Sequence, residues 1–110
     1  MKTPYKAVEF IIANAPFYAK AKSERIYLEE FRKTKKALLM KDAMVAGYDS
    51  AASQEREAYA HADYKAVLSG LAVAVEKEET LKWQLLAAQM KTEIWRTESA
   101  NERMQDKSAQ

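Results

Sequence analysis

The chain contains no cysteine, one histidine, two glycines and two prolines among 110 residues. The missing cysteines exclude disulfides, thiolate nucleophiles and Cys-ligated metals. Scarcity of glycine and proline argues against a β-rich fold, because many short strands need many turns and many turn residues. With only Gly47 and Gly70 available, a glycine-rich phosphate loop cannot be built. No apolar run approaches the roughly 20 residues that a bilayer-spanning helix needs. The first residues also lack the basic, apolar and cleavable pattern of a signal peptide. The expectation is a cytoplasmic protein with no membrane contact.

Catalytic groupings are absent too. His61 is the lone histidine and lies in a polar connector near Asp63. A base or metal ligand needs partners at defined spacing, and none stand around it. It reads as an exposed residue or a helix cap. Carboxylates within the apolar stripes, Glu24, Asp42 and Glu78, lack the Glu-x-x-His pattern of di-metal bundles. With Lys35, Lys82 and Gln89 they read as interhelical charge pairs that set register. We expect no enzyme activity, no metal, no cofactor and no small-molecule substrate.

What the chain has in quantity is Ala, Glu, Lys, Gln, Leu and Met, all strong helix formers. The expected fold class is all-α. Thr3-Pro4 suits an N-cap followed by proline at the first helical position, opening a short helix to about Asn14. Ala15-Pro16 is expected to break or kink it. A second helix follows from about Pro16 to Ala46 and is closed by Gly47. Asp49 or Ser50 can cap a short connector helix reaching about Ala60, and Asp63 can cap a last helix from about Tyr64 to beyond Arg103. Residues 105–110 are polar and expected to fray.

At 100° per residue, Phe17, Ala21, Tyr27, Leu28, Phe31, Leu38, Leu39, Val45 and Ala46 share one face of the second helix, within about 120°. Tyr64, Val67, Leu68, Leu71, Val75, Leu81, Leu85 and Leu86 form the matching stripe on the last helix. The expected architecture is one domain over residues 1–110: an antiparallel helical hairpin of two long helices with short N-terminal and connector helices. The last helix carries a second apolar strip of Trp83, Ala87, Met90 and Ile94. Either the N-terminal helix or a second copy must cover it, and a two-helix hairpin buries little by itself. A homo-oligomeric, dimeric bundle is therefore expected.

Two surfaces are candidates for function. Lys22, Arg25, Arg32, Lys33 and Lys36 fall within about 100° of the helix circumference beside the apolar stripe, a band able to follow several phosphates. It lies in a basic stretch, residues 20–41, with eight Lys or Arg against three Glu. Residues 49–79 carry seven acids against three bases, so the halves can also neutralise each other by folding together or dimerising. The second candidate is a protein interface of Trp83, Met90, Ile94, Trp95 and Arg96, residue types over-represented at interfaces. Trp83 reads more simply as a filler of the hairpin or dimer core.

Four stretches, Tyr27-Leu-Glu-Glu-Phe-Arg-Lys, Lys36-Ala-Leu-Leu-Met-Lys-Asp-Ala, Ala51-Ala-Ser-Gln-Glu-Arg-Glu-Ala-Tyr-Ala and Ala87-Ala-Gln-Met-Lys-Thr-Glu-Ile-Trp-Arg, resemble small α-helical phage and prophage proteins. Such proteins belong to early regions, beside single-strand annealing, single-strand binding and exonuclease functions. The resemblance implies a bacterial host cell and a setting in phage recombination or replication, and assigns no residue a role. The expected function is a non-catalytic accessory that contacts a phage or host DNA-metabolism protein, single-stranded DNA, or both. The alternative is a phage inhibitor that sterically blocks a host defence or nuclease complex.

Overall fold

The computed structural model describes residues 3–109, and all its regular structure among them is helical. Three helices follow one another: α1 (Tyr5–Val45, 41 residues), α2 (Ala51–Ala60, 10 residues) and α3 (Ala62–Ala109, 48 residues). The chain divides into two compact units, one of residues 20–78 and one of residues 1–19 with 79–110. Each long helix contributes a segment to both.

The expected break at Ala15-Pro16 does not occur, and there is no separate N-terminal helix. α1 runs through Pro16. Proline removes one N–H and leaves the carbonyl of Ile12 without its helical donor. Both Pro16 and Ile12 are exposed, so water can satisfy that carbonyl. Two residues earlier the Asn14 amide donates to the Phe10 carbonyl at 2.9 Å. At the start, the Val8 N–H donates to Pro4 O at 3.0 Å, which fits proline's tolerance for the first turn.

Gly47 ends α1 as the sequence suggests. Its φ is 108°, a left-handed value that glycine adopts at no steric cost. The Tyr48 N–H then reaches Ala43 O and the Gly47 N–H reaches Met44 O, each at 3.1 Å. This crossed pair is the Schellman closure of a helix C-terminus. Gln54 Nε2 pins the loop by donating to Tyr48 O at 2.9 Å.

Ser50, one of the two expected caps, starts α2. Its hydroxyl accepts from the Ser53 N–H at 3.0 Å while its own N–H donates to Ser53 Oγ at 3.3 Å, a reciprocal capping box. His61 ends α2 with extended dihedrals (φ −71°, ψ 140°). Its Nδ1 accepts from the Asp63 N–H at 3.0 Å, so His61 caps α3 and Asp63 sits within the first turn. That corrects the assignment of the cap to Asp63. At its other end α3 extends to Ala109, and Gln110 lies outside the described residues.

Packing is close but thin. In the 20–78 unit Ala21, Ala43, Ala58 and Ala74 are buried with Leu39 and Tyr64; in the other, Ala7 and Ala88 are. Alanine lets helices approach closely but removes little apolar area from water. Leu39, Ala58 and Tyr64 form one cluster, with Met40 packed against it. No large side chain among the described residues is fully buried.

The apolar stripes are therefore only partly used. Ala21, Leu39 and Tyr64 are buried, and Leu28, Phe31, Val67, Leu71, Leu81, Leu85 and Leu86 are half-buried. Phe17, Tyr27, Leu38, Val45, Ala46, Leu68 and Val75 are exposed, contrary to the sequence expectation. The contacting face follows the alanines and lies rotated from the centre of each stripe of large residues.

Candidate functional site

The five cations of the basic band all lie in the 20–78 unit. Arg25 is half-buried. Its Nε pairs with Glu78 Oε2, and its Nη2 donates to Glu78 Oε1 at 3.2 Å. Nη1 meanwhile donates to both carboxylate oxygens of Glu29 at 3.0 Å, one turn along α1. Glu78 is the one buried charged residue of the described chain. Hydrogen bonds to Glu78 first, then Glu29, push the pKa of the Arg25 guanidinium above its ordinary value. A planar fork between two carboxylates suits arginine better than lysine.

Lys36 also turns inward. Its Nζ lies 3.7 Å from Glu55 Oε1 and 4.6 Å from the centre of the Tyr59 ring. A side-chain hydrogen bond with Tyr59, then the charge of Glu55, raise its pKa above the ordinary 10.5. Tyr59 is in turn edge-on to Tyr64, with ring centres 5.2 Å apart. Lys33 pairs with Glu30 at 3.3 Å on its own helix. Arg32 is half-buried, while Lys22 is exposed.

The band is thus divided between inside and outside. Its two best-placed cations, Arg25 and Lys36, hold α1 to α3 and α2 respectively. The sequence anticipated interhelical pairing by the charged residues within the stripes, and Glu78 fulfils it with a partner drawn from the band. Lys35 pairs with Asp63 at 3.5 Å. Lys82 is 4.0 Å from Glu79 on its own helix, and Glu24 and Asp42 are exposed. The signal that could have found the Arg25–Glu78 pair was their placement on the alanine-lined faces, beside Ala21 and Ala74.

The candidate protein interface lies in the other unit, where its two tryptophans are covered to different extents. Trp95 is half-buried. With Ala7, Phe10, Ala88, Lys6 and Lys91 it lines an open groove of about 570 Å³. Trp83, read as a filler of the hairpin or dimer core, is 64% exposed in the single chain. Met90 and Ile94 are 63% and 57% exposed. The first turns of α1 bury Ala7 opposite the Ala88 side of α3 and leave that strip uncovered. Arg96 is exposed and pairs with Glu93 at 3.4 Å.

Among the described residues no cluster of three His, Cys, Asp or Glu side chains is placed to hold a metal ion. No helix among them is long and apolar enough to cross a membrane. No family model, curated protein or solved structure matches this chain.

Proposed function

We propose that this chain is a non-catalytic protein-binding module: an antiparallel helical hairpin that works as a homo-oligomer, as an accessory of phage DNA recombination or replication. The observation that carries the self-association part is the exposure of Trp83, Met90 and Ile94 on one side of α3. Large apolar side chains grouped on a surface mark contact sites. The phage setting, in a bacterial cytoplasm, rests on the sequence resemblance alone. Direct contact with nucleic acid gains less support, since Arg25 and Lys36 are committed to Glu78 and Glu55. Lys22 and Arg32, with Lys33 in a surface pair with Glu30, are what the band leaves for phosphates.

That internal neutralisation favours, as a second reading, a phage inhibitor that blocks a host defence or nuclease complex without touching DNA. Affinity capture from infected cells separates the two, with Trp83→Gln/Ile94→Gln as the control. Enrichment of an annealing or single-strand-binding protein with the wild type alone supports the accessory role. Enrichment of a nuclease or restriction complex supports inhibition. Equal capture by wild type and control shows that partner binding needs neither this surface nor the oligomer it builds, and sinks the reading of an accessory that works as a homo-oligomer. In gel shifts, the accessory reading through protein contacts expects weak binding to single-stranded oligonucleotides, abolished by moderate salt.

A further inference from the structure

In the 79–110 segment the exposed apolar residues of α3 follow a spacing that its own fold does not use. Trp83, Ala87, Met90 and Ile94 alternate steps of four and three, and the same steps lead on to Thr97, Asn101 and Met104. This is a heptad seam with Ala87, Ile94 and Asn101 at a and Trp83, Met90, Thr97 and Met104 at d. All seven are exposed, so the seam faces away from α1. Residues 101–109 are exposed on every side and yet helical. A helical end of this length is marginal in water without packing.

We infer that the α3 helices of two copies pair antiparallel along this seam. In the matching register Trp83 faces the second copy's Asn101, Ala87 its Thr97, and Met90 its Ile94. Trp83, the largest residue of the seam, thereby meets a smaller polar one, and its indole N–H gains an acceptor in the Asn101 side chain. A parallel pair instead stacks Trp83 on Trp83 and leaves Ala87 against Ala87.

Flanking charges select the same arrangement. Lys91 and Glu98 occupy e positions, and in an antiparallel pair e residues face e residues. The chosen register brings Lys91 beside the second copy's Glu98, twice by symmetry. Sliding one copy by a heptad sets Lys91 against Lys91 in one direction and Glu98 against Glu98 in the other. A parallel pair places Glu93 at g across from Glu98 at e, a like-charge contact. One register therefore satisfies both volume and charge. It also lays the exposed helical end of each copy over the Trp83 region of the other.

This inference rests on the homo-oligomer reading and is tested apart from it. Because the chain has no cysteine, single Ala87→Cys and Thr97→Cys variants are clean probes. Oxidising an equal mixture should give the mixed disulfide dimer, while each variant alone should stay uncrosslinked. In the proposed register a residue and its own copy are separated by ten residues, about 15 Å along the axis, beyond disulfide reach. Self-crosslinking of Ala87→Cys would establish a parallel pair and overturn the register while leaving the oligomer intact. A dimer giving no crosslink in any combination would place the interface elsewhere and overturn the inference alone.

Light scattering completes the test. The wild type should show twice the 12.5 kDa chain mass, and Trp83→Gln/Met90→Gln should show the single mass with unchanged helix content. A wild type that is monomeric across a dilution series removes both the inference and the homo-oligomer. Lys91→Glu and Glu98→Lys should each weaken self-association, and mixing the two should restore it.

Discussion

Arg25 donates to two carboxylates at once, and the consequences differ. Glu29 is a neighbour on the same helix, a contact of small value at a solvated surface. Glu78 is buried on α3, and without Arg25 its charge loses its forked partner in a site that water reaches poorly. Arg25→Ala should therefore lower the thermal midpoint clearly more than Lys33→Ala, whose partner Glu30 is exposed. Combining Arg25→Ala with Glu78→Gln should cost less than the two single effects added, the sign of direct coupling. Additive losses would show that the pair contributes nothing. Lys36 supplies a pH signature. Its pKa is raised in the folded chain by Tyr59 and Glu55, so its stabilisation is complete below the ordinary 10.5 and is lost as pH rises through the folded value. The stability advantage of wild type over Lys36→Met should be constant at neutral pH and shrink under strongly alkaline conditions, as measured by denaturant midpoints.

Helix ends and helix interiors respond to glycine in opposite ways. At Gly47 a Cβ would meet no atom within 4 Å, yet φ is +108°. Gly47→Ala should destabilise by roughly 1–2 kcal/mol from backbone strain alone. Gly70 lies inside α3 with equally open space around it and no unusual φ. Gly70→Ala should stabilise by about 1 kcal/mol, the propensity difference between the two residues. The Ser50 capping box predicts a loss of about 1 kcal/mol for Ser50→Ala. Urea midpoints for the three variants check the set, and a loss at Gly70 would show that α3 uses its glycine for contact with another molecule.

Across the whole molecule, stability comes from alanine-lined contacts rather than from a deep core of large side chains. Leu39→Ala, in the buried cluster with Ala58 and Tyr64, should cost roughly 2–5 kcal/mol. Phe31 and Leu85 are half-buried, so Phe31→Ala and Leu85→Ala should each cost less than Leu39→Ala. Chemical denaturation at fixed protein concentration makes the comparison. If Phe31→Ala or Leu85→Ala proves the more damaging, these residues are covered in solution by something beyond the single chain. The two values are thus also a measure of how far a second copy contributes to stability.

Composition and local chemistry settled the fold class. Helix formers throughout, too few turn residues for sheets, a serine before α2 and a glycine after α1 each act through their nearest neighbours. The Glu78 position within an apolar stripe likewise announced an interhelical charge pair. Other features depended on packing. Pro16 reads as a helix breaker because its local penalty is real, yet α1 passes through it with the affected carbonyl on the water side. Periodicity located a broad apolar face on each helix but could not say that alanines would occupy its contact line. That choice depends on how closely the backbones approach, and it exposed Tyr27, Leu38 and Trp83 while drawing Trp95 inward. The basic band shows the same division: counting charges finds five cations on one face, and only the fold reveals that Arg25 and Lys36 are held by carboxylates distant in sequence. Propensity and capping are properties of neighbouring residues, whereas burial and ion pairing are decided by which helix faces meet.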